Sequence, residues 1–556
     1  MASLTADDII KRLSSMATGR SDFEHVWRQA RDVAAPDAPD FTLGGLGTFG
    51  DTLGIQRANA ARTSAKIYDA TGVWAVDRLA SGLEGLIMPQ SETWHTLLPQ
   101  DLITATPTDE EAEWLEGLRD FLFRVRYDAQ SGWQTALQTC LRRLVTFGNG
   151  FMFVEEGFEK SLVRYRHLPL PEVYIAQDAW SNVDTMIRVY PMSARQARQK
   201  WGDKISAQLK TVADDPAQAD RTFRFIHYIG PRGDFGGGYA GGTRRARYAS
   251  VHVEFETRHV IGEGGYFEFP LIDFRWLPER EYGEGPIMRV LADIQSMQLM
   301  AKNEMIASQQ SVDPPLLVAR HGIINRPNSN PGEPIVGGID ANGRQMVAPL
   351  NLGQRVDFAQ AVIQAKRQNL RESLYINLFA LMVENPRMSA TEALIRANEK
   401  GELLGPAGSR IQESLAKLVD RELGILARKG IYEPTSVFFP PRTLQNREIG
   451  PKFTSPLDRL RRAKDAEAVI RTLEITAPIM QIKPEIADNM DGDETFRGVA
   501  EVVGMPRRFL KRREEVAQDR AQRAAEQAQQ QQLAATMAAA EAAGKAAPAL
   551  EAIGAI

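Results

Sequence analysis

At 556 residues the chain exceeds the usual size of a single hydrophobic core, so two or more folding units are expected. A formal net charge of −4 excludes a strongly basic DNA-coating protein, and Cys140, the one cysteine, excludes an intramolecular disulfide and fits a reducing cytoplasm. No apolar run reaches about 18 residues, which excludes a membrane-spanning helix, and the polar, acidic start MASLTADDII does not read as a signal peptide.

The chain opens with a helix. Asp7 is placed to cap it; Ile9, Ile10, Leu13 and Met16, then Phe23, Val26, Trp27 and Ala30, recur at helical spacing, and Pro36 and Pro39 close it. Residues 41–54, rich in Gly and Thr, read as an exposed loop. Within residues 64–98, Val73, Val76, Leu79, Ala80, Leu83 and Ile87 form one apolar stripe of a second helix. Ala80, Ser81, Gly82 and Gly85 would let another backbone approach it closely. Pro89 ends it and Trp94 begins a strand-like exit. Ser81 is not a nucleophile elbow, because Gly-x-Ser-x-Gly is absent.

A helical pair follows, carrying Trp114, Leu115, Leu118, Phe121 and Leu122, then Trp133, Leu137, Leu141 and Leu144. Gly148-Asn149-Gly150 turns the chain into a strand at Phe151–Glu155. Strands are predicted at Leu162–Leu168, Val173–Ala176, Met186–Tyr190, Phe223–Ile229, Ser250–Glu256 and Phe267–Trp276, interrupted by a helix over 193–210. The Gly-rich run Gly233–Gly242, followed by Arg244, Arg245 and Arg247, lacks a following Gly-Lys-Ser/Thr and leads into a strand, so it reads as a hairpin tip, not a nucleotide loop. His227, His252 and His259 have no metal-ligand spacing and read as ordinary strand residues. No carboxylate pair is marked as an acid/base dyad, so neither catalytic residues, metal nor cofactor is expected.

From Tyr282 the pattern becomes elongated. Tyr-Gly-Glu-Gly turns into a helix with Pro286 near its first position, where a missing amide costs little. Ile287, Val290, Leu291, Ile294, Met297 and Met305 carry it to about Gln310, roughly 35–40 Å at 1.5 Å per residue. Asp313-Pro314-Pro315 stops it. Residues 316–354, rich in Gly, Pro and Asn with short apolar runs at Leu316–Ala319 and Met346–Leu350, read as a small protruding module. Asp357 would cap a returning helix through Phe358, Val362, Ile363, Leu370, Leu374 and Leu378. Ser389 and Glu392 then make a capping box for a long helix. Gly401, Gly405-Pro406 and Gly408 should bend it, and Ile411, Leu415, Leu418, Leu423 and Leu426 should dock its second half. A Pro-rich strand is expected at Val437–Pro441, with helices at 457–476 and about 484–503. Last come the basic block Arg507, Arg508, Lys511, Arg512 and Arg513 and an Ala/Gln-rich tail, either an oligomeric helix or a frayed end.

Several of these runs carry a resemblance. Tyr68-Asp-x-Thr-Gly with Leu79-Ala-Ser-Gly-Leu, the helix–Gly-Asn-Gly–strand unit, Tyr282-Gly before the first long helix, Met388-Ser-Ala-Thr-Glu-Ala, Glu399-Lys-Gly-Glu-Leu-Leu-Gly-Pro and Asp420-Arg-Glu-Leu-Gly-Ile-Leu resemble the portal, or head-to-tail connector, proteins of short-tailed double-stranded DNA phages. The resemblance is collinear over roughly residues 5–505 and weakest in the 316–354 module, the Gly-rich loop and the tail. It implies an α+β, mostly helical portal fold: a wing over 1–281, a first stem helix at 282–312, a clip at 313–355 and a second stem helix at 356–380. A tunnel loop at 381–390, a kinked channel helix returning to the wing at 391–450, a helical crown at 451–510 and a tail at 511–556 complete it.

The implied function is a non-enzymatic ring, twelve subunits in the family, at one capsid vertex of the virion, assembled in the host cytoplasm. Double-stranded DNA would pass through it without sequence specificity. The implied partners are the terminase large subunit, the major capsid protein and scaffold, a tail adaptor and internal ejection proteins, with no membrane. Arg367, Arg371, Glu384, Asn385, Arg387, Arg396 and Lys400 are the expected channel residues. Arg320, Arg326, Arg344 and Arg355 are expected on the clip, and the basic block on the crown. Mild acidity suits a channel, since each neutralised phosphate strengthens binding and a strongly basic wall would hold DNA in place. The competing readings are another phage assembly protein, such as a tail adaptor or scaffold, and an enzyme acting on phosphate or nucleic acid.

Overall fold

The structure, a computed structural model, describes residues 5–41, 67–100, 107–157, 161–235, 246–278, 280–318, 338–340, 342–349, 356–376, 390–445, 447–458, 472, 475–476, 491–503, 509–511 and 513–553. In chain order it contains α1 (Ala6–Ala34), α2 (Thr71–Ile87), β1 (His95–Pro99), α3 (Asp109–Arg126), α4 (Trp133–Phe147), β2 (Asn149–Glu156), β3 (Val163–Leu168), β4 (Val173–Gln177) and β5 (Val183–Ser193). Next are α5 (Ala194–Trp201), α6 (Ala207–Asp214), β6 (Thr222–Pro231), β7 (Tyr248–Glu254), β8 (Val260–Tyr266), β9 (Leu271–Arg275), α7 (Pro286–Arg289), α8 (Leu291–Val312), β10 (Leu316–Val318) and β11 (Val347–Pro349). The chain ends with α9 (Val356–Ser373), α10 (Ala390–Arg428), β12 (Ile449–Phe453), α11 (Gly492–Val503) and α12 (Arg513–Ile553). This is the mixed helix-and-strand composition expected. One unit comprises Met1–Thr96, Arg119–Phe439 and Gly450–Leu457, and the other Leu97–Leu118, Pro440–Ile449 and Asp458–Ile556.

In the first unit α4 lies at the centre of the core. Left-handed Gly132 (φ 75°) and Gly148 (φ 76°) bound it, and Trp133, Leu137, Cys140, Leu141 and Leu144 are buried along it. Val76, Leu79, Leu83 and Ile87 of α2 join the same cluster. Of the small residues expected to admit a neighbouring backbone, Ala80 is buried and Gly85 has nothing within 4 Å of its would-be Cβ; a close approach occurs earlier, at Gly72, where a Cβ would stand 3.0 Å from the Val33 carbonyl. Phe41, expected in an exposed loop, is buried with Trp27 and Phe147; the rest of that loop lies outside the described residues.

Two antiparallel sheets build the strand-rich part. One has the order β3-β2-β9 and the other β4-β5-β6-β7-β8. α1 covers one face of the larger sheet with Ala6, Ile9 and Leu13 against Ile187, Tyr228 and Val251. Its cap is Thr5, not Asp7: the Asp8 amide donates to Thr5 Oγ1 and the Thr5 amide donates back to Asp8, a complete capping box. On the other face α5 and α6 pack over Tyr190 and Phe225. They replace the single helix expected over 193–210, because Gly202 (φ 59°) ends α5. β8 had no counterpart in the sequence reading, since Gly262, Gly264 and Gly265 hide its alternation, and the last predicted strand shortens to Leu271–Arg275.

α10 docks on this framework as one helix of 39 residues with Pro406 inside it. Leu404, Ala407, Ile411, Leu415, Leu418, Val419, Ile425 and Leu426 are buried. At the predicted Leu423 position the inward residue is Glu422, whose carboxylate accepts from Arg126 Nε (3.0 Å) and Nη2 (2.5 Å) and from the Tyr165 hydroxyl (2.5 Å). A helix turn places 422, not 423, above 415, 418 and 419. The expected strand at Val437–Pro441 is a series of turns; the strand in this region is β12, which forms a two-stranded sheet with β1. The Ser389–Glu392 capping box and most of the helices expected at 457–476 and 484–503 lie outside the described residues, apart from α11.

In the second unit, the Thr108 amide donates to Glu111 Oε2 (2.8 Å), capping α3, and Arg447 pairs with Glu111 at 3.5 Å. α12 carries the Ala/Gln-rich tail as a helix. Arg513–Glu494 (2.8 Å) and Arg520–Asp493 (2.6 Å) tie its beginning to α11.

Candidate functional site: the paired long helices and their strand-bearing tip

The base of the first long helix is set by glycine. Gly148 and Gly283–Gly285 approach so closely that a Cβ at Gly148 would collide with backbone. Asn149 locks the contact: its Nδ2 donates to the Phe147 and Gly283 carbonyls (3.0 and 3.2 Å), and the Gly283 amide donates to its Oδ1 (2.9 Å). Pro286 then opens α7 at its first turn, as predicted. The single helix expected from here is interrupted at Val290 (φ −106°, ψ 14°), and α8 runs on from Leu291.

α8 and α9 are antiparallel neighbours. Lys366 Nζ reaches Asp293 at 3.4 Å near one end, and at the other the connecting segments pair as β10 and β11, with Leu316 opposite Pro349 and Val318 opposite Val347. Both strands fall on the short apolar runs at Leu316–Ala319 and Met346–Leu350. Asp357, expected as the cap of the second helix, falls inside its first turn. Among the described side chains burial is confined to the base: Leu291, Ile294 and Met297 of α8, Ile363 and Leu370 of α9, and Leu374 just after it, are buried. Beyond Met297, Leu299, Met305, Ile306 and Val312 are exposed, Val312 at 86%. Among the described residues, then, the outer half of α8 carries apolar side chains that are left exposed.

The predicted channel arginines on α9 have different settings. Arg367 Nε and Nη2 both donate to Asp69 Oδ2, at 3.0 and 2.6 Å. Asp69 Oδ1 accepts from the Thr71 amide (2.8 Å), and Gln298 of α8 bridges the same turn by accepting from the Tyr68 and Asp69 amides (2.8 and 3.0 Å) and donating to the Asp69 carbonyl (2.5 Å). Burial alone would raise the Asp69 pKa, but hydrogen bonds from Thr71 and the Arg367 guanidinium outweigh it and lower it. Asp69 thus fastens both long helices to the start of α2. No local pattern marks Asp69 or Gln298 for this role, although Asp69 and Thr71 lie within the Tyr68-Asp-x-Thr-Gly run. Arg371, one turn along, is exposed, with its guanidinium carbon 5.6 Å from the Trp74 ring centroid.

Arg344 is exposed on a turn beside β11, where its carbonyl accepts from the Asp340 amide (2.9 Å). Arg396 and Lys400 fall one turn apart on α10. Lys511 pairs with Asp519 at 2.6 Å, which raises the lysine pKa and lowers the aspartate's, and Arg513 is held by Glu494. Glu384, Asn385, Arg387, Arg320, Arg326, Arg355, Arg507, Arg508 and Arg512 lie outside the described residues. Among the described residues no group of three or more His, Cys, Asp or Glu is placed to hold a metal ion, and no helix is long and apolar enough to cross a membrane.

A family model described as bacteriophage head to tail connecting protein matches residues 6–510. The chain belongs to that family. The connector is 26% identical over 535 residues to the portal protein of Salmonella phage epsilon15, covering 93% of this chain and 90% of that one. It is likewise 26% identical over 535 residues to the probable portal protein of Bordetella phage BPP-1, covering 92% and 90%. A chain from the neck of an empty gene transfer agent particle aligns with a TM-score of 0.35 at 12% identity, covering 77% of this connector and 90% of that chain, a likeness too low to argue from. The connector is thus a portal-type head-to-tail connector of tailed phages, and the matched range nearly coincides with the collinear resemblance read from the sequence.

Proposed function

We propose that the connector assembles as a ring of identical subunits at one capsid vertex, in the family's usual number of twelve. Double-stranded DNA is packaged and later ejected through its centre. The observation that carries this reading is the α8–α9 pair: anchored at its base, tipped by β10–β11, and with exposed apolar residues over the outer half of α8. Exposed apolar residues gathered along one helix mark a surface that a partner covers. In a ring the neighbouring subunit's pair supplies the cover.

On this reading 282–312 and 356–380 are the stem, 313–355 the clip, 381–390 the tunnel loop, 391–450 the channel helix and its return, 451–510 the crown, and 1–281 the wing. The clip, with Arg320, Arg326, Arg344 and Arg355, docks the terminase large subunit during packaging and the tail adaptor afterwards. Capsid protein, scaffold and internal ejection proteins meet the remaining outer surfaces. Arg371, Arg387, Arg396 and Lys400, with Glu384 and Asn385, face DNA, and each weak phosphate contact is multiplied by the subunit number. Arg367 serves as the brace that positions the helix carrying them. The basic block 507–513 lines the crown. The role is structural, with no catalytic step.

The decisive experiment is electron microscopy and light scattering of the purified chain. The reading requires class averages showing a ring with a central hole. A monodisperse species near the chain mass of 61.8 kDa at micromolar concentration would overturn it.

A further inference from the structure

The large sheet carries a row of polar side chains that the connector role does not use. Arg188 on β5 stands opposite His227 on β6, His227 opposite His252 on β7, and His252 opposite Gly262 on β8. Directly paired residues project from the same face of a sheet, so these four form one line across four strands. The line falls between two packed regions. On one side Tyr190 and Phe225 lie under α5 and α6, and on the other Met186 and Ile229 belong to the main core with Phe153.

The two imidazoles stack with centroids 4.0 Å apart and an interplanar angle of 19°, forming a floor. Trp201 stands 5.5 Å from His252 on one side and Phe153 5.9 Å from His227 on the other. At the β8 end the floor opens: a Cβ on Gly262 or on Gly264 would meet nothing within 4 Å.

Three cations overlook this cleft. Arg188 lies over the Tyr190 ring at 4.3 Å and Lys200 Nζ over the same ring at 5.9 Å and over Trp201 at 4.7 Å. Arg166 of β3 lies over Phe153 at 5.7 Å. The facing carboxylates are Glu172, which Arg188 engages at 2.9 and 2.8 Å, and Glu155, 3.2 Å from Arg166 Nε. Three cations therefore face two carboxylates. Lys200 makes no ion pair with a carboxylate among the described residues. His252 Nδ1 is buried without a hydrogen-bond partner, whereas Arg166 Nε lies against Glu155. Lys200 is exposed at the rim, and partial desolvation of its ammonium together with the nearby Arg166 and Arg188 guanidinium groups pushes its pKa down to about 8 despite Glu155.

We propose that this cleft is an oxyanion site that takes a phosphate group, bare or as an ester, between Lys200, His252 and Arg166. Phosphate suits it because its oxygens accept from several converging donors at once, and guanidinium, ammonium and imidazole N–H groups are its usual partners. The proposal does not depend on the ring or on DNA passing through it.

The test is calorimetric titration of the full-length protein with inorganic phosphate, against chloride at matched ionic strength. Saturable phosphate binding is expected. Lys200→Gln should weaken it about tenfold or more while leaving the melting curve in chloride unchanged. Gly262→Val, which fills the opening and touches none of the charges, should also abolish it. Competition by a short oligothymidylate would identify a phosphodiester as the ligand, and phosphate binding without such competition a free phosphate. No saturable binding, or wild-type binding in either Lys200→Gln or Gly262→Val, overturns the site.

Discussion

Arg126 and Glu422, 296 positions apart in the chain, form a fully buried ion pair with Nη2 2.5 Å from Oε2. The arginine stacks its charge on Trp94 (4.6 Å) and Trp133 (5.4 Å), and Tyr165 donates to the same carboxylate. The pair joins the end of α3 to the second half of α10, the helix assigned to the channel and its return.

Truncating one member leaves the other charge stranded. Glu422→Ala should cost about 3–5 kcal/mol in denaturant unfolding, whereas an apolar double replacement at 126 and 422 should recover much of the loss. A double variant no more stable than Glu422→Ala would show that the pair is worth more than the packing around it.

Arg367 and Arg371 should separate by phenotype. Arg367→Glu sets a second carboxylate against Asp69 and should lower stability by about 1–3 kcal/mol and impair assembly. Arg371→Glu should stay within about 0.5 kcal/mol and form normal rings. Arg387→Glu should likewise leave rings intact while reducing packaged genome length or retention. Equal melting temperatures for the two α9 variants would refute the brace; normal filling and retention by Arg387→Glu rings would remove that loop from the mechanism.

The sheet histidines should make the first unit acid-labile. Burial holds His252 at about 3 and His227 well below its ordinary 6.5; Lys200, Arg188 and Arg166 push both the same way, and His252 itself adds to the shift of His227. Lowered histidine pKa values mean the unfolded chain binds more protons between the two limits. The contribution is therefore complete above about 6.5 and is lost as pH falls from there toward 3. Urea midpoints measured from pH 7 to pH 4 should decline, and His252→Asn should flatten the decline. An unchanged slope in that variant would locate the acid sensitivity elsewhere.

Cys140 should be inert in the native state. It is fully buried, burial raises its thiol pKa, and a Cβ on Gly150 would come within 2.7 Å of its sulfur. Thiol reagents should label it only on unfolding. Gly150→Ala should cost roughly 1–3 kcal/mol through overpacking. Rapid native labelling would contradict this packing.

What the sequence determined by itself is what depends on short-range periodicity and covalent restraint. The stripes of α2 and α4, the Pro286 start, the strands flanking 316–349 and the runs that carry the family resemblance all belong to this class, because spacing and proline geometry act within a few residues. The candidate site was legible as an order of elements, helix, strand-bearing module, returning helix, but not as a set of contacts. Only the tertiary structure decided that Arg367 is spent on Asp69, that Glu422 meets Arg126 and Tyr165, that a close approach occurs at Gly72, and that Arg188, His227, His252 and Gly262 share one line. Each of these depends on partners brought together across long stretches of chain. A charged or glycine residue carries no local mark of what it will meet. A lone Asp, Glu or His reads as surface until burial supplies the desolvation that makes its partner matter.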